Sequence, residues 1–167
     1  MSTPATPQIL AIAQRGEPIL AQQAQAVRNP LDPEIQTLLQ NMQATMLAAN
    51  GVGIAAPQVF QSLRIIIVAS RPNPRYPEAP LMEPIAMLNP EILWQSNETC
   101  LGEEGCLSVQ ETRAQVARAE RLTVRYLNEK AESIKAEFSG FVARIIQHEV
   151  DHLNGILFVE RAEAAES

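Results

Sequence analysis

Gln147-His148-Glu149-Val150-Asp151-His152 is the stretch on which the reading of this chain turns. Two histidines four residues apart lie on one face of an α-helix, so both imidazoles can reach a single metal ion. The glutamate beside the first histidine can stand next to a water activated by that metal, take its proton and later deliver it. The chain has 167 residues and only two histidines, and both fall on this spacing. Phe141 and Ile145 precede His148 and His152 at steps of four, three and four, which extends one inward face toward the histidines. A helix is expected from about residue 139 to 153, with Gly155 where a C-terminal glycine cap belongs.

A catalytic site of this kind needs a third protein ligand and an open position for water. Some metalloproteases extend the motif to His-Glu-x-x-His-x-x-Gly-x-x-His. This chain follows that pattern through Gly155, but the last position is Phe158. With no further histidine, the third ligand is a cysteine or a carboxylate. Cys106, in Glu103-Glu104-Gly105-Cys106-Leu107-Ser108, follows a glycine that lets the backbone approach closely, and a thiolate suits zinc or ferrous iron. Glu160 and Glu163 are the downstream alternatives, but they lie in a charged tail that reads as solvated surface. Cys106 is preferred.

Working back from the motif, Asp32-Pro33-Glu34 is a helix start, followed by an apolar stripe at Ile35, Leu38, Leu39, Met42 and Met46 and stopped by Asn50-Gly51. Arg64 to Ala69 reads as a buried strand. The prolines at 72, 74, 77, 80 and 84 make residues 71 to 84 a surface loop. Ile85 to Leu88, Glu91 to Trp94 and Leu122 to Leu127 are strand candidates, and Asn128-Glu129-Lys130 turns into a partner near Ile134 to Phe138. Helix, antiparallel strands and helix give an α+β fold in one domain spanning residues 1–167, with residues 1–8 and 161–167 expected to be flexible.

Between the first helix and the first strand stands Gly51-Val52-Gly53-Ile54-Ala55-Ala56-Pro57-Gln58. Small residues expose bare backbone there, as a loop or edge strand against which an extended peptide could pair. Gln58 offers an amide donor near a reacting carbonyl. The segment lacks the lysine of a phosphate-binding loop.

Composition closes off other classes. A net charge of −6 argues against a nucleic-acid surface, and the basic residues from Arg113 to Arg125 read as a solvated face around a strand. No apolar run reaches the roughly 18 residues that cross a bilayer. Met-Ser-Thr-Pro-Ala-Thr-Pro lacks the basic and apolar regions of a secretory signal, and two cysteines do not make a disulfide framework, so a cytoplasmic protein with reduced thiols is expected.

Taken together, residues 51–58, 104–108 and 147–152 resemble the peptide deformylase family. Its marks are Gly-hydrophobic-Gly-hydrophobic-Ala-Ala-x-Gln, Glu-Gly-Cys-Leu-Ser and Gln-His-Glu-x-Asp-His, present here in that order. The resemblance extends over roughly residues 8 to 160. It implies antiparallel β-sheets around a central C-terminal helix carrying the His-Glu-x-x-His motif. It implies hydrolysis of the formyl group from N-formylmethionyl nascent peptides, with release of formate. A divalent metal held by Cys106, His148 and His152 is implied, most often ferrous iron, with zinc, nickel or cobalt able to substitute. Glu149 would serve as general base and acid, and Gln58 with the backbone N–H of Leu107 would stabilise the oxyanion. Val52, Phe141 and Ile145 are candidates for the apolar pocket that takes the substrate's first side chain, and the backbone of Gly53 for contact with the peptide. Beyond the peptide substrate, the expected partner is the ribosome, transiently, with no stable nucleic-acid binding and no membrane. Two features depart from the family: Val109-Gln110 stands where Val-Pro is common, and the tail after Phe158 has no basic extension for ribosomal RNA. Two rivals stay in view. One is a His-Glu-x-x-His peptidase cleaving peptide bonds; the other is a metal-binding protein without catalysis, for which Glu149 would have no purpose.

Overall fold

The structure, a computed structural model, describes residues 6–166. Helix α1 (Pro33–Ala48) begins as its sequence requires: Asp32 accepts a hydrogen bond from the Glu34 amide at 2.9 Å, and Pro33 fills the first turn. It ends at Asn50, whose φ of 58° is left-handed. Leu39, Met42 and Met46 of the stripe are buried, while Ile35 and Leu38 are partly so.

Strands β1 (Gly53–Ala55), β2 (Ile65–Val68), β3 (Ile85–Gln95), β6 (Arg121–Leu127) and β7 (Ser133–Ser139) form one antiparallel sheet in the order β1-β2-β3-β6-β7. Strands β4 (Thr99–Cys106) and β5 (Val109–Ala119) form a separate two-stranded sheet. With helices α1, α2 (Gly140–Leu153) and α3 (Phe158–Glu166), the fold is α+β with antiparallel sheets. Strand β2 reads as an unbroken apolar run because both its faces are covered. Ile65 and Ile67 pack with the α1 residues Leu39, Met42 and Met46, and Ile66 and Val68 with Ile145, Ile146 and Leu153 of α2.

Several elements differ from the sequence expectation. The two short strands at 85–88 and 91–94 are one strand, β3, with one register shift at Asn89 and Pro90 and a second between Ile92 and Trp94. Asn89 has a φ of 51°, and its side chain bonds both the amide and the carbonyl of Val27, so the irregularity is anchored. Pro90, lacking an N–H, is tolerated there. Strands β4 and β5 were not expected. Their inward positions carry Glu104, Cys106 and Arg118 beside Val116, so charge hides the period of two. Arg113, Arg121 and Arg125 make outward ion pairs with Glu103, Glu98 and Glu91, as a solvated face should, but Arg118 is buried.

Residues 71–84 do more than cover the surface. The Gly105 amide donates to the Tyr76 hydroxyl at 3.0 Å, and the Tyr76 ring packs on Phe141 at 5.0 Å. Of the end segments expected to be flexible, residues 1–5 and 167 lie outside the described residues. Gln8 donates its amide to Asn41, and residues 161–166 continue α3 as helix. Helix α3 is held because Phe158, Val159 and Ala162 bury against Cys106, Val109 and Val116. Among the described residues, no helix is long and apolar enough to cross a membrane.

Candidate metal centre and active site

Helix α2 is buried from Ala143 to Leu153. It ends in paired bonds from the Gly155 amide to His152 O and from the Ile156 amide to Asp151 O, with Gly155 at a φ of 76°. That is the expected glycine termination. The rigid helix presents His148 and His152 toward the end of β4, where Cys106 sits next to Gly105. Ligand atoms of Cys106, His148 and His152 all lie within 4.8 Å of one another, and all three residues are buried. His152 Nε2 is 3.3 Å from Cys106 Sγ. His148 Nδ1 is 2.9 Å from Glu104 Oε1, which leaves Nε2 for a metal, the carboxylate–histidine arrangement that orients metal-bound imidazoles.

Of the downstream carboxylates, Glu160 does not join this cluster. Glu160 is exposed and accepts from the Leu157 amide. The side chain of Glu163 lies outside the described residues. Phe158, at the position where an extended motif would have a histidine, stacks on His148.

The electrostatics fit a bound dication. Burial alone would push the Cys106 thiol up, but the charge and hydrogen bonding of His152 and His148 outweigh it and hold it well below the ordinary thiol range. The Ser108 amide at 3.4 Å and Gln58 Nε2 at 3.6 Å also point at Sγ. A buried thiolate needs positive charge beside it, and a divalent metal supplies that. Among the described residues four buried side-chain atoms lack a hydrogen-bond partner, and two of them, Glu149 Oε1 and His152 Nδ1, are here. Native structures seldom leave such atoms idle unless a ligand or water completes them. Burial is the main cause that pushes the Glu149 carboxyl above the usual carboxylate range, toward the basicity a proton acceptor needs at neutral pH.

Gln58 is held from both ends of its amide. Oε1 accepts from the Ala55 amide at 2.9 Å, and Nε2 donates to Ser108 Oγ at 3.0 Å. Val52, Gly53, Phe141, Ile145 and Leu107 all line the cavity that also holds Gln58, Cys106, His148 and Glu149. Gly53 has a reason beyond bare backbone. A Cβ there would stand 2.6 Å from Glu149 Oε2 and 2.7 Å from Ile145 Cγ2, so only glycine lets β1 approach α2.

Besides Arg144, four residues at the site are not singled out by the sequence. Glu104 stood inside the quoted cysteine segment but received no role. Arg118, which grips Glu104 through Nε and Nη2 at 2.9 Å each, had no local signal at all. Arg75 and Tyr76, also in the cavity wall, were hidden in the proline-rich loop.

A buried thiolate and two imidazoles around one point, with an unpartnered carboxylate beside them, define a metal-dependent hydrolase of the His-Glu-x-x-His type. The polypeptide deformylase family model matches residues 9–167, and the chain belongs to the peptide deformylase family, metal-dependent hydrolases that remove formyl groups from nascent peptides. It is 52% identical to Peptide deformylase 2 of a Nostoc species over 158 residues, 95% of this chain and 88% of the relative. Two crystal structures of a class I type b peptide deformylase from Acinetobacter baumannii superpose on it with a TM-score of 0.89. They share 61% and 60% identity with it, and each comparison covers 92% of this chain and 98% of the other. The second of these contains bound Met-Ala-Ser.

Proposed function

We propose that this chain, as a single catalytic domain with α2 as its central helix, removes the formyl group from N-formylmethionyl nascent peptides. The observation that carries the reading is the convergence of Cys106, His148 and His152 beside the buried, unpartnered Oε1 of Glu149. A divalent metal held by those three residues supplies Lewis acidity, making a water nucleophilic at neutral pH and polarising the formyl oxygen. Ferrous iron is the metal of this reading, with zinc, nickel or cobalt as substitutes; the mixed thiolate and imidazole donors suit all four.

Glu149 accepts a proton from the water as its oxygen joins the formyl carbon. Nε2 of Gln58 and the backbone N–H of Leu107 donate to the oxyanion that develops there. The C–N bond then breaks, Glu149 returns the proton to the leaving amine, and formate departs. The first side chain of the peptide lies against Val52, Phe141 and Ile145, and its backbone runs along Gly53. The place of β1 as the terminal strand of its sheet supports that placement. The substrate's origin puts the enzyme in the cytoplasm, near the ribosome only in passing.

The test is formate release from formyl-Met-Ala-Ser by protein purified anaerobically with ferrous iron, beside Glu149→Ala. Metal-dependent release, lost in a variant that still binds metal, supports the reading. No release from folded, metal-loaded protein would refute it. Cleavage of unformylated peptides would instead favour a peptidase.

A further inference from the structure

Arg144 lies one helical turn before His148 on α2 and is buried, and the proposed chemistry does not use it. Its Nη1 donates to Glu104 Oε2 at 2.7 Å and to Val116 O at 2.8 Å, and its Nη2 donates to Cys100 O at 2.6 Å. The three acceptors come from both strands of the β4–β5 pair. The guanidinium rests directly on Gly102, where a Cβ would stand 2.7 Å from Cζ and 2.8 Å from Nε and Nη2. Gly102 faces Val116 in the register, so the glycine makes the seat that the flat guanidinium fills.

We propose that Arg144 is a positioning residue for the metal centre, acting through Glu104 to set the direction in which His148 presents Nε2. This rests on the reading of His148 as a ligand. Each oxygen of Glu104 takes one bond from Arg118; His148 then engages Oε1 and Arg144 engages Oε2. The last two bonds fall on different oxygens of the carboxylate. Without Arg144, only the fork of Arg118 restrains the carboxylate against rotation, and Arg118 is also shared with Asp151 at 2.6 Å. A buried guanidinium that meets a carboxylate and two carbonyls at once uses the planar donor geometry that lysine lacks. Arg144 and Gly102 therefore work as one device: the gap at residue 102 sets where the guanidinium stops.

The experiment compares the wild-type chain with Arg144→Leu, Arg144→Lys and Gly102→Ala. Each is loaded with Co(II), and the dissociation constant is measured by competition with a chromogenic chelator. The thiolate-to-cobalt absorption band, the Tm of the metal-free protein, and kcat and KM are recorded beside it. Arg144→Leu and Gly102→Ala are expected to lose affinity on the order of tenfold, as for loss of an outer-shell partner. Their absorption band shifts and kcat falls while KM holds; Arg144→Lys, keeping the charge without the fork, falls between. Unchanged affinity and absorption with only a lowered Tm would overturn the proposal and leave Arg144 as a pin for the hairpin. If Arg144→Leu does not fold, Gly102→Ala and Arg144→Lys decide by the same criteria. Failure of the wild-type chain to bind Co(II) would overturn the ligand assignment itself, an outcome distinct from equal binding by all four proteins.

Discussion

The ring of Phe158 lies against that of His148, with centroids 5.8 Å apart and planes inclined by 24°. Phe158 is fully buried and belongs to the cluster that holds α3 against β4 and β5. It thus backs one histidine from behind while Glu104 fixes it from the side. Phe158→Ala is expected to cost about 3–5 kcal/mol of stability, the usual penalty for emptying a buried aromatic position. Urea unfolding of the metal-free protein measures it. A loss below about 1 kcal/mol would mean that α3 collapses to refill the space.

Gly53 and Glu149 approach so closely that an added methyl group would overlap the carboxylate and Ile145. Gly53→Ala should displace Glu149 or push β1 outward. Misplacement by about 1 Å can cost on the order of a hundredfold in rate, so formate release by this variant should fall by that amount while the metal is retained. Near-normal turnover with full metal content would show that β1 and α2 can separate without consequence.

Gln58→Ala removes a donor proposed for the oxyanion and should lower kcat roughly a hundredfold, about 3 kcal/mol of barrier. Ser108→Ala, which only removes the hydroxyl that accepts from Gln58 Nε2, should cost less than tenfold. Equal losses in the two variants would assign Gln58 a structural part, through the Ala55 amide it caps.

Formyl-Met peptides should be turned over far faster than formyl-Asp peptides, because the proposed seat at Phe141, Val52 and Ile145 is apolar, and an acidic side chain would have to leave it to reach Arg75 or Arg144 in the same cavity wall. Matched kcat/KM values for the two would put the first side chain elsewhere.

Asp151 bears on acid stability. Burial acts to raise its pKa, but the guanidinium groups of Arg161 and Arg118, at 2.8 and 2.6 Å, outweigh it and hold the carboxyl below its ordinary value. A folded pKa below the unfolded one stabilises at every pH above the unfolded value, about 3.9, and that stability is lost as pH falls through the folded value. Below pH 4 the Tm of the metal-free wild-type protein should therefore drop more steeply than that of Asp151→Asn. Parallel curves would deny Asp151 this part in acid unfolding.

The sequence was legible where chemistry and periodicity coincide. Asp32 and Gly155 mark helix ends by local rules, and the stripe of α1 and the run of β2 mark what they bury. The grouping of Cys106, His148 and His152 could be anticipated because only one spacing of histidines exists and because the cysteine sits in a motif. Strands β4 and β5 were illegible for a physical reason: positions that face inward are occupied by Glu104 and Arg118, whose burial makes sense only once each has the other. Arg144 was hidden likewise, since an arginine on a helix reads as solvated until Gly102 and three acceptors are brought to it from far along the chain. Tyr76 lay among prolines that announce a loop but not where the loop goes.

Strand β1 is only three residues long, and Pro57 follows it closely. At about 3.3 Å per residue the strand spans roughly 10 Å, and Gln58 already takes the Ala55 amide at its far end, so an extended chain laid beside it meets only a short edge before the backbone turns away. A guest with a free end can seat there and leave the rest of itself outside. So short an edge can engage only the first residues of a guest, whatever chain follows them.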